Sequence, residues 1–581
     1  MRDTLRFSSP AYTGALITLV SLAGACSAPA HTPSVTPADL VVRNGIVVTV
    51  DDNLPEAEAI AINGHSITAV GTDAEIEAYI GEDTDVIDLE GRLAIPGFIE
   101  GHGHYMSLGE SKIILDLNNV RDWDEIVTMV ADAVQDAEPG EWVEGRGWHQ
   151  EKWESVPTVN VDGVPLHNGL SEISPDNPVH LGHASGHASF ANAKAMELSG
   201  IDRDTADPAG GTIVRDADGN PSGLLRETAQ RIVDARIMAD NADRDPGEVD
   251  AQMRRMVQLA GEEALSKGVT TFHDAGANFA LIDFFRDLAA EGELPIRLYV
   301  MVRRESNETM AERLADYLII PEGNDFLAVR SIKRQIDGAL GSHGAWLLDP
   351  YEDMAESTGL VLETVEDITG TCEVAIENGF QVNTHAIGDR ANREVLDIYE
   401  GVFAANPDKT DLRWRVEHAQ HLHPDDLPRF AELGVIAAMQ GVHCTSDAPW
   451  IPIRLGNERG ESGSYMWRDL IDSGAIVTNG TDVPVEDIDP IASFYASVAR
   501  IDRNGDVFYP DQRMTREEAL ASYTVANAYA AFEEHLKGTI TPGKLADITV
   551  LSDNIMTIPL EQIPATRVDI TIVGGEIGYR R

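Results

Sequence analysis

Between Leu93 and Gly480 the chain alternates short apolar runs with longer helix-like stretches, and this alternation constrains the fold more than any other feature. Eight runs read as strands: 93–99, 268–273, 295–302, 329–335, 380–384, 412–417, 434–439 and 475–480. Strands separated by helix-length segments form parallel βα units rather than hairpins. Eight such units predict a TIM (β/α)8 barrel, an α/β fold whose functional groups collect at the C-terminal strand ends. Helices fit between the strands, as at Asp250–Lys267 and Thr515–Phe532, the second opening on the Thr515–Glu518 spacing of a capping box. The stretch at about 105–267 is far longer than one connecting helix, so it holds an inserted subdomain.

The two ends of the chain read differently. Asp39 to Val50 turns at Asn44-Gly45, and Ala59 to Val70 turns at Asn63-Gly64. Both are hairpin signals flanked by β-branched residues. Residues 546–551 and 568–575 carry the same pattern. The expectation is a small β-sandwich closed by both ends, with 31–92 and 536–581 flanking a barrel at 93–535.

Residues 1–30 read as an export signal, with Arg2 and Arg6 before an apolar run from Ala15 to Ala25. That run is too short to span a bilayer. Leu22-Ala-Gly-Ala-Cys26 resembles a bacterial lipoprotein cleavage box with its Leu one place early, and Ala28-Pro-Ala30 offers ordinary cleavage instead. A lipid-anchored envelope protein is favoured over a soluble periplasmic one. Residues 27–37 form a Pro-rich tether. Beyond Cys26 only Cys372 and Cys444 remain, too few for a disulfide framework.

Acidic residues number 97 against 44 basic, only 8 of them lysine, for a net charge of -53. That balance argues against nucleic acid and anionic membrane as electrostatic partners. It reads as a solvated acidic surface suited to salt.

The chemistry gathers at the strand ends. The first strand runs through Pro96-Gly-Phe-Ile-Glu-Gly-His102-Gly-His104, and residues i and i+2 of a strand face the same way. Strand four carries Lys333, strand five ends at His385, strand six at His418 and strand eight at Asp482. A core tolerates such polar groups only with partners. Six in this order on one rim read as a metal site. Imidazole and carboxylate ligands suit Zn2+, with Mn2+, Fe2+ and Co2+ also compatible.

Several motifs together resemble the amidohydrolase superfamily, specifically the amidohydrolase-3 group with its YtcJ-like proteins and N-substituted formamide deformylases. They are the 96–104 stretch, Gly268-Val-Thr-Thr-Phe-His-Asp-Ala-Gly276, Asp337-Gly338, His385-Ala-Ile-Gly-Asp389, Glu417-His-Ala-Gln420, Met439-Gln440 with His443, and Gly480-Thr-Asp-Val-Pro484. Within the insert, Gly145-x-Gly-Trp148, Ser185-Gly-His187, Asn192 and Gly219-x-Pro-x-Gly223 match as well. His149 stands where an Asp is expected and receives no role.

The resemblance implies that His102, His104 and Asp482 bind a buried metal, that His385 and His418 bind an outer one, and that Lys333 bridges them as a carbamate formed with CO2. An unmodified ammonium beside two cations is disfavoured, which a carbamate resolves; if Lys333 instead pairs with Asp337, the site carries one metal. Asp482 would shuttle a proton, His443 would help at the oxyanion, and His187 would lie near the substrate. His273 and Asp274 read as supporting residues; His65, His343, His421, His423 and His535 receive no catalytic duty. The implied activity is hydrolysis of a C–N bond in an amide, cyclic amide, N-acyl or N-formyl compound. Ester or carbamate hydrolysis, deamination, and a non-catalytic lipid-anchored binding protein are the alternatives, the last disfavoured by Asp482 beside a full ligand set. A small-molecule substrate and a homodimer are the partners implied.

Overall fold

The computed structural model describes residues 35–581 apart from Val156 and Asp243. The export signal and the Cys26 cleavage box lie outside the described residues. Eight parallel strands form a TIM barrel in chain order: Phe98–Gly103, Val269–Ala277, Arg297–Val302, Leu327–Gln335, Gln381–Ala386, Arg415–His418, Ile436–Gln440 and Val477–Gly480. Each pairs in parallel with the next. The helices follow from ordinary capping. Asn278 accepts a hydrogen bond from Leu281 N to start Phe279–Glu291, and Gly292 ends it in the left-handed region. Thr364 and Gly379 do the same for Val365–Asn378.

One expected strand splits in two. Leu93–Pro96 belongs to a terminal sheet, pairing with Ile46–Val48 and Ile548–Leu551, and only Phe98–Gly103 enters the barrel. The terminal strands form a four-stranded and a six-stranded sheet. Their shared core draws Leu40, Val47 and Ile62 from one end of the chain and Ile548, Val550 and Ile570 from the other.

The insert forms a six-stranded sheet of its own, ordered Gly211–Arg215, Pro221–Glu227, Ala188–Ala191, Val179–His183, Val143–Trp148 and Leu115–Asp116. It has a separate apolar core around Trp148, Leu181 and Phe190. The chain returns to the barrel through helix Pro246–Ser266, capped by Asp245.

Side chains and one backbone hydrogen bond complete the closure between the first and eighth strands. Asn527 Nδ2 donates to both Ile99 O and Asn479 O at 2.8 Å. Thr481 N donates to Glu100 Oε1, and Asp482 N donates to His102 O at 2.8 Å. Gly480 permits this approach, since a Cβ there would lie 2.7 Å from His102 N. The seam brings Asp482 to the histidines of the first strand.

Candidate metal centre and its cavity

The ligand atoms of His102, His104 and Asp482 all lie within 4.8 Å of one another at the barrel rim. Asp482 Oδ1 faces His104 Nε2 at 3.2 Å and His102 Nε2 at 3.6 Å. Lys333 Nζ sits 3.1 Å from His102 Nε2. His385 and His418 adjoin this group, their ring centroids 4.4 Å apart, with His418 4.7 Å from His102. The six residues expected to converge form one cluster.

Asp337 is not the partner of Lys333. Its carboxylate accepts from the backbone N–H groups of Trp346, Ile387 and Gly388 at 2.8–3.0 Å. It ties the end of the fourth strand to the loop after the fifth, and burial pushes it up to about 7 against those three donors.

Neighbours fix the rings. His102 Nδ1 donates to Glu417 Oε2 at 2.5 Å, which turns its Nε2 toward the cluster. His418 Nδ1 donates to Gln440 Oε1 at 2.8 Å with the same effect. Both His418 and Asp482 have positive φ, +76° and +57°, an uncommon conformation for such residues. At His418 it breaks strand alternation, so that Glu417 and His418 both serve the cluster.

Electrostatics favour cation binding. Burial, then Lys333, holds His102 well below its ordinary 6.5, and burial does the same for His385 and His418, which disfavours their protonated forms. Burial raises Asp482, but the facing His104 and His102 rings outweigh it and keep the carboxylate well below its usual range. Burial lowers Lys333 to about 8. His385 Nε2 and Asp482 Oδ1 have no hydrogen-bond partner among the described residues. His385 Nε2 lies 3.5 Å from Asp337 Oδ1, and Asp482 Oδ1 lies 3.2 Å from His104 Nε2. A bound cation would satisfy such buried atoms better than these contacts do. The donor set of imidazoles and carboxylate fits a divalent transition metal.

Three members of the cluster, His385, His418 and Asp482, line a cavity of about 310 Å3. His443 and His187 both line it. Gln420 Nε2 donates to His443 Nδ1 at 3.2 Å, so His443 Nε2 carries the ring hydrogen, and it is unpartnered among the described residues. His149, which received no role from the sequence, lines the cavity too, stacked on Trp450 at 5.3 Å and 10°. His343 lies on the wall, 3.2 Å from Asp353. Its position after a long loop gave no signal. His273 and Asp274 are not in the cluster: His273 Nδ1 accepts from Arg415 Nη1 at 3.2 Å, and Asp274 accepts from Tyr105 N at 3.1 Å. His421 pairs with Ser464 in the interior.

Two groups escaped sequence reading. Arg303, half-buried after the third strand, donates to Gln335 at 2.9 Å and lies within electrostatic reach of Lys333 and Asp482. Glu227, in the insert, pairs with His187. Neither lies in a motif that would have marked it.

The Amidohydro_3 family, described as "Amidohydrolase family", matches residues 85–579. The protein LONG AFTER FAR-RED 3 of Arabidopsis thaliana is 36% identical over 93% of this chain and 92% of its own length. An N-substituted formamide deformylase of Arthrobacter pascens is 28% identical over 94% of this chain and 98% of its own. Among solved structures, an uncharacterized metal-dependent hydrolase from Pyrococcus furiosus superposes with a TM-score of 0.69 and 26% identity, covering 89% of this chain and 100% of that chain.

Proposed function

Given that this chain belongs to the amidohydrolase family, a metal-dependent hydrolase of C–N bonds, we propose that it cleaves a non-peptide amide, cyclic amide, N-acyl or N-formyl compound at the rim cluster. The observation that carries the reading is the convergence of His102, His104 and Asp482 within 4.8 Å, with Asp482 reaching the cavity wall. The deformylase relative, whose name specifies an N-substituted formamide, supports the N-acyl class. His102, His104 and Asp482 would hold one ion, His385 and His418 a second, and Lys333 would bridge them as a carbamate.

A divalent ion held there supplies Lewis acidity and a water acidic enough to attack at neutral pH. The chain's own groups do the rest. Asp482 accepts the proton of the attacking water at Oδ1 and delivers it to the leaving nitrogen. His443, set by Gln420, offers Nε2–H to the developing oxyanion. Glu417 and Gln440 hold the ligand rings in orientation. Trp450, Met354, Leu224 and Val485 give the cavity an apolar wall that limits bulk water.

Export to the envelope through the first 30 residues, with lipid attachment at Cys26, belongs to the same proposal, supported by the basic start and short apolar run; among the described residues no helix is long and apolar enough to cross a membrane. A homodimer is a family-level part of it.

The test is metal content by plasma mass spectrometry on chain prepared with Zn2+ and bicarbonate, alongside an N-acyl and N-formyl substrate panel. We expect close to two ions per chain, turnover on the panel, and a mass increment of one CO2 that Lys333→Ala abolishes. One ion with no increment would remove the carbamate. Absence of bound metal would sink the proposal.

A further inference from the structure

Of the three insert histidines that line the cavity, His149, His183 and His187, the last is anchored by a carboxylate. His187 Nδ1 lies 2.9 Å from Glu227 Oε2, and both side chains are largely buried. Glu227 N donates in turn to His187 O at 2.8 Å, so backbone and side chain lock the same two residues together. With Nδ1 committed to a carboxylate, Nε2 is the ring atom left for the cavity. The ring stands 6.0 Å from that of His385, centroid to centroid.

Glu227 is itself docked on the barrel. Its Oε1 accepts from Ser342 Oγ at 3.2 Å, on the loop after the fourth strand. Gly338 and Gly344 of that loop face it so closely that a Cβ would lie 2.9 Å and 2.8 Å from Oε1. Its backbone holds φ +50°, a conformation that costs a non-glycine residue free energy and persists where surroundings impose it. A residue that merely neutralised a stray histidine would need none of this.

We propose that His187 is a substrate-binding residue, supplied by the insert, that hydrogen-bonds through Nε2 to the amide group being cleaved, and that Glu227 is its positioning residue. The proposal rests on the amidohydrolase reading above. His443 approaches from the His418 side, with rings stacked at 6.3 Å, and His187 from the His385 side. An amide group held between them is gripped on both flanks. The insert is then part of the active site rather than a cover over it, and amides able to hydrogen-bond on both flanks are the preferred substrates.

The experiment uses the full metal-loaded chain on the substrate panel, with kinetics, metal content and histidine NMR read together. His187→Ala should lower kcat/KM on the order of 10²-fold, the cost of removing one preorganised hydrogen-bonding group from a dry site, with metal content unchanged. Glu227→Gln should cost roughly 10-fold, and the double variant no more than His187→Ala alone, because the two act as one unit. Gly344→Ala, which touches neither residue's chemistry, should reproduce the Glu227→Gln loss. In nitrogen-15 histidine spectra of the metal-free chain, the His187 Nδ1 resonance should shift in both Glu227→Gln and Gly344→Ala. Activity of His187→Ala within about twofold of wild type, losses that multiply in the double variant, or departure of metal from His187→Ala would each overturn it. A wild-type chain inactive on the whole panel would instead fail the amidohydrolase reading, and the NMR shifts would still decide whether Glu227 positions His187.

Discussion

The barrel buries polar groups at both ends, and the two clusters differ in one respect. At the floor the charged groups pair with one another or with backbone oxygens, although Glu533 Oε2, Arg415 Nε and His273 Nε2 keep no hydrogen bond among the described residues. Arg297 binds Asp547 at 2.8 Å, Lys537 binds Glu533 at 3.0 Å, and Arg415 spans His273 and Ala530 O. At the rim, Asp482 Oδ1, His385 Nε2 and His443 Nε2 are left without hydrogen bonds among the described residues. Burial of ionisable side chains therefore does not distinguish a site from a scaffold. Convergence of imidazole and carboxylate ligand atoms on one point, as at His102, His104 and Asp482, does.

The contrast can be broken from either end. The largest effect is expected at the rim: Asp482→Asn should lower kcat on the order of 10³-fold, the range for loss of a positioned proton carrier, while thermal unfolding of the metal-free chain stays close to wild type. If activity persists, Asp482 is not the proton carrier. The floor should answer in the opposite way. Asp547→Ala leaves Arg297 buried and uncompensated, and should cost about 3–5 kcal/mol of stability in denaturant unfolding. Metal content and kcat of the folded fraction should not change; loss of metal would show the two clusters to be coupled.

Next in size is Glu417→Gln, which should weaken metal affinity roughly 10- to 100-fold in chelator competition by releasing the His102 ring. An unchanged affinity would make the Glu417–His102 contact incidental. The smallest and sharpest comparison is in pH. His102, His385 and His418 have folded values depressed below 6.5, so the unfolded chain binds more protons below that pH. Metal-free protein should therefore lose stability as pH falls from about 6.5. Burial raises Asp547, but Arg297 outweighs it and leaves the carboxylate below its ordinary 3.8, so the floor should hold until pH drops through that range. Coincident loss at both ends would contradict the separation.

The barrel was legible because eight apolar runs with helix-length spacing admit few other folds. The six rim residues were legible because each ends a strand. That Glu417 would join His418 at the cluster was less so: alternation places neighbours on opposite faces, and the positive φ of His418 turns both to the cluster. The boundary at Leu93 failed for a related reason. Leu93–Pro96 and Phe98–Gly103 read as one run, and nothing local says that Pro96-Gly97 passes the chain from one sheet to another. Glu227 and Arg303 were invisible because their partners, His187 and Gln335, lie 40 and 32 residues away, across turns no periodicity encodes.

The small sheet joined by both chain ends has a consequence for biogenesis. Leu93–Pro96 takes its neighbour from Ile548–Leu551 with Leu93 opposite Leu551, so this strand emerges long before its partner exists. At about 5–20 residues per second, the delay is on the order of tens of seconds. During that interval the nascent chain carries an unpaired apolar edge beside a nearly complete barrel, the kind of surface that recruits chaperones or aggregates. A ribosome that stalls before residue 548 leaves that edge open for good.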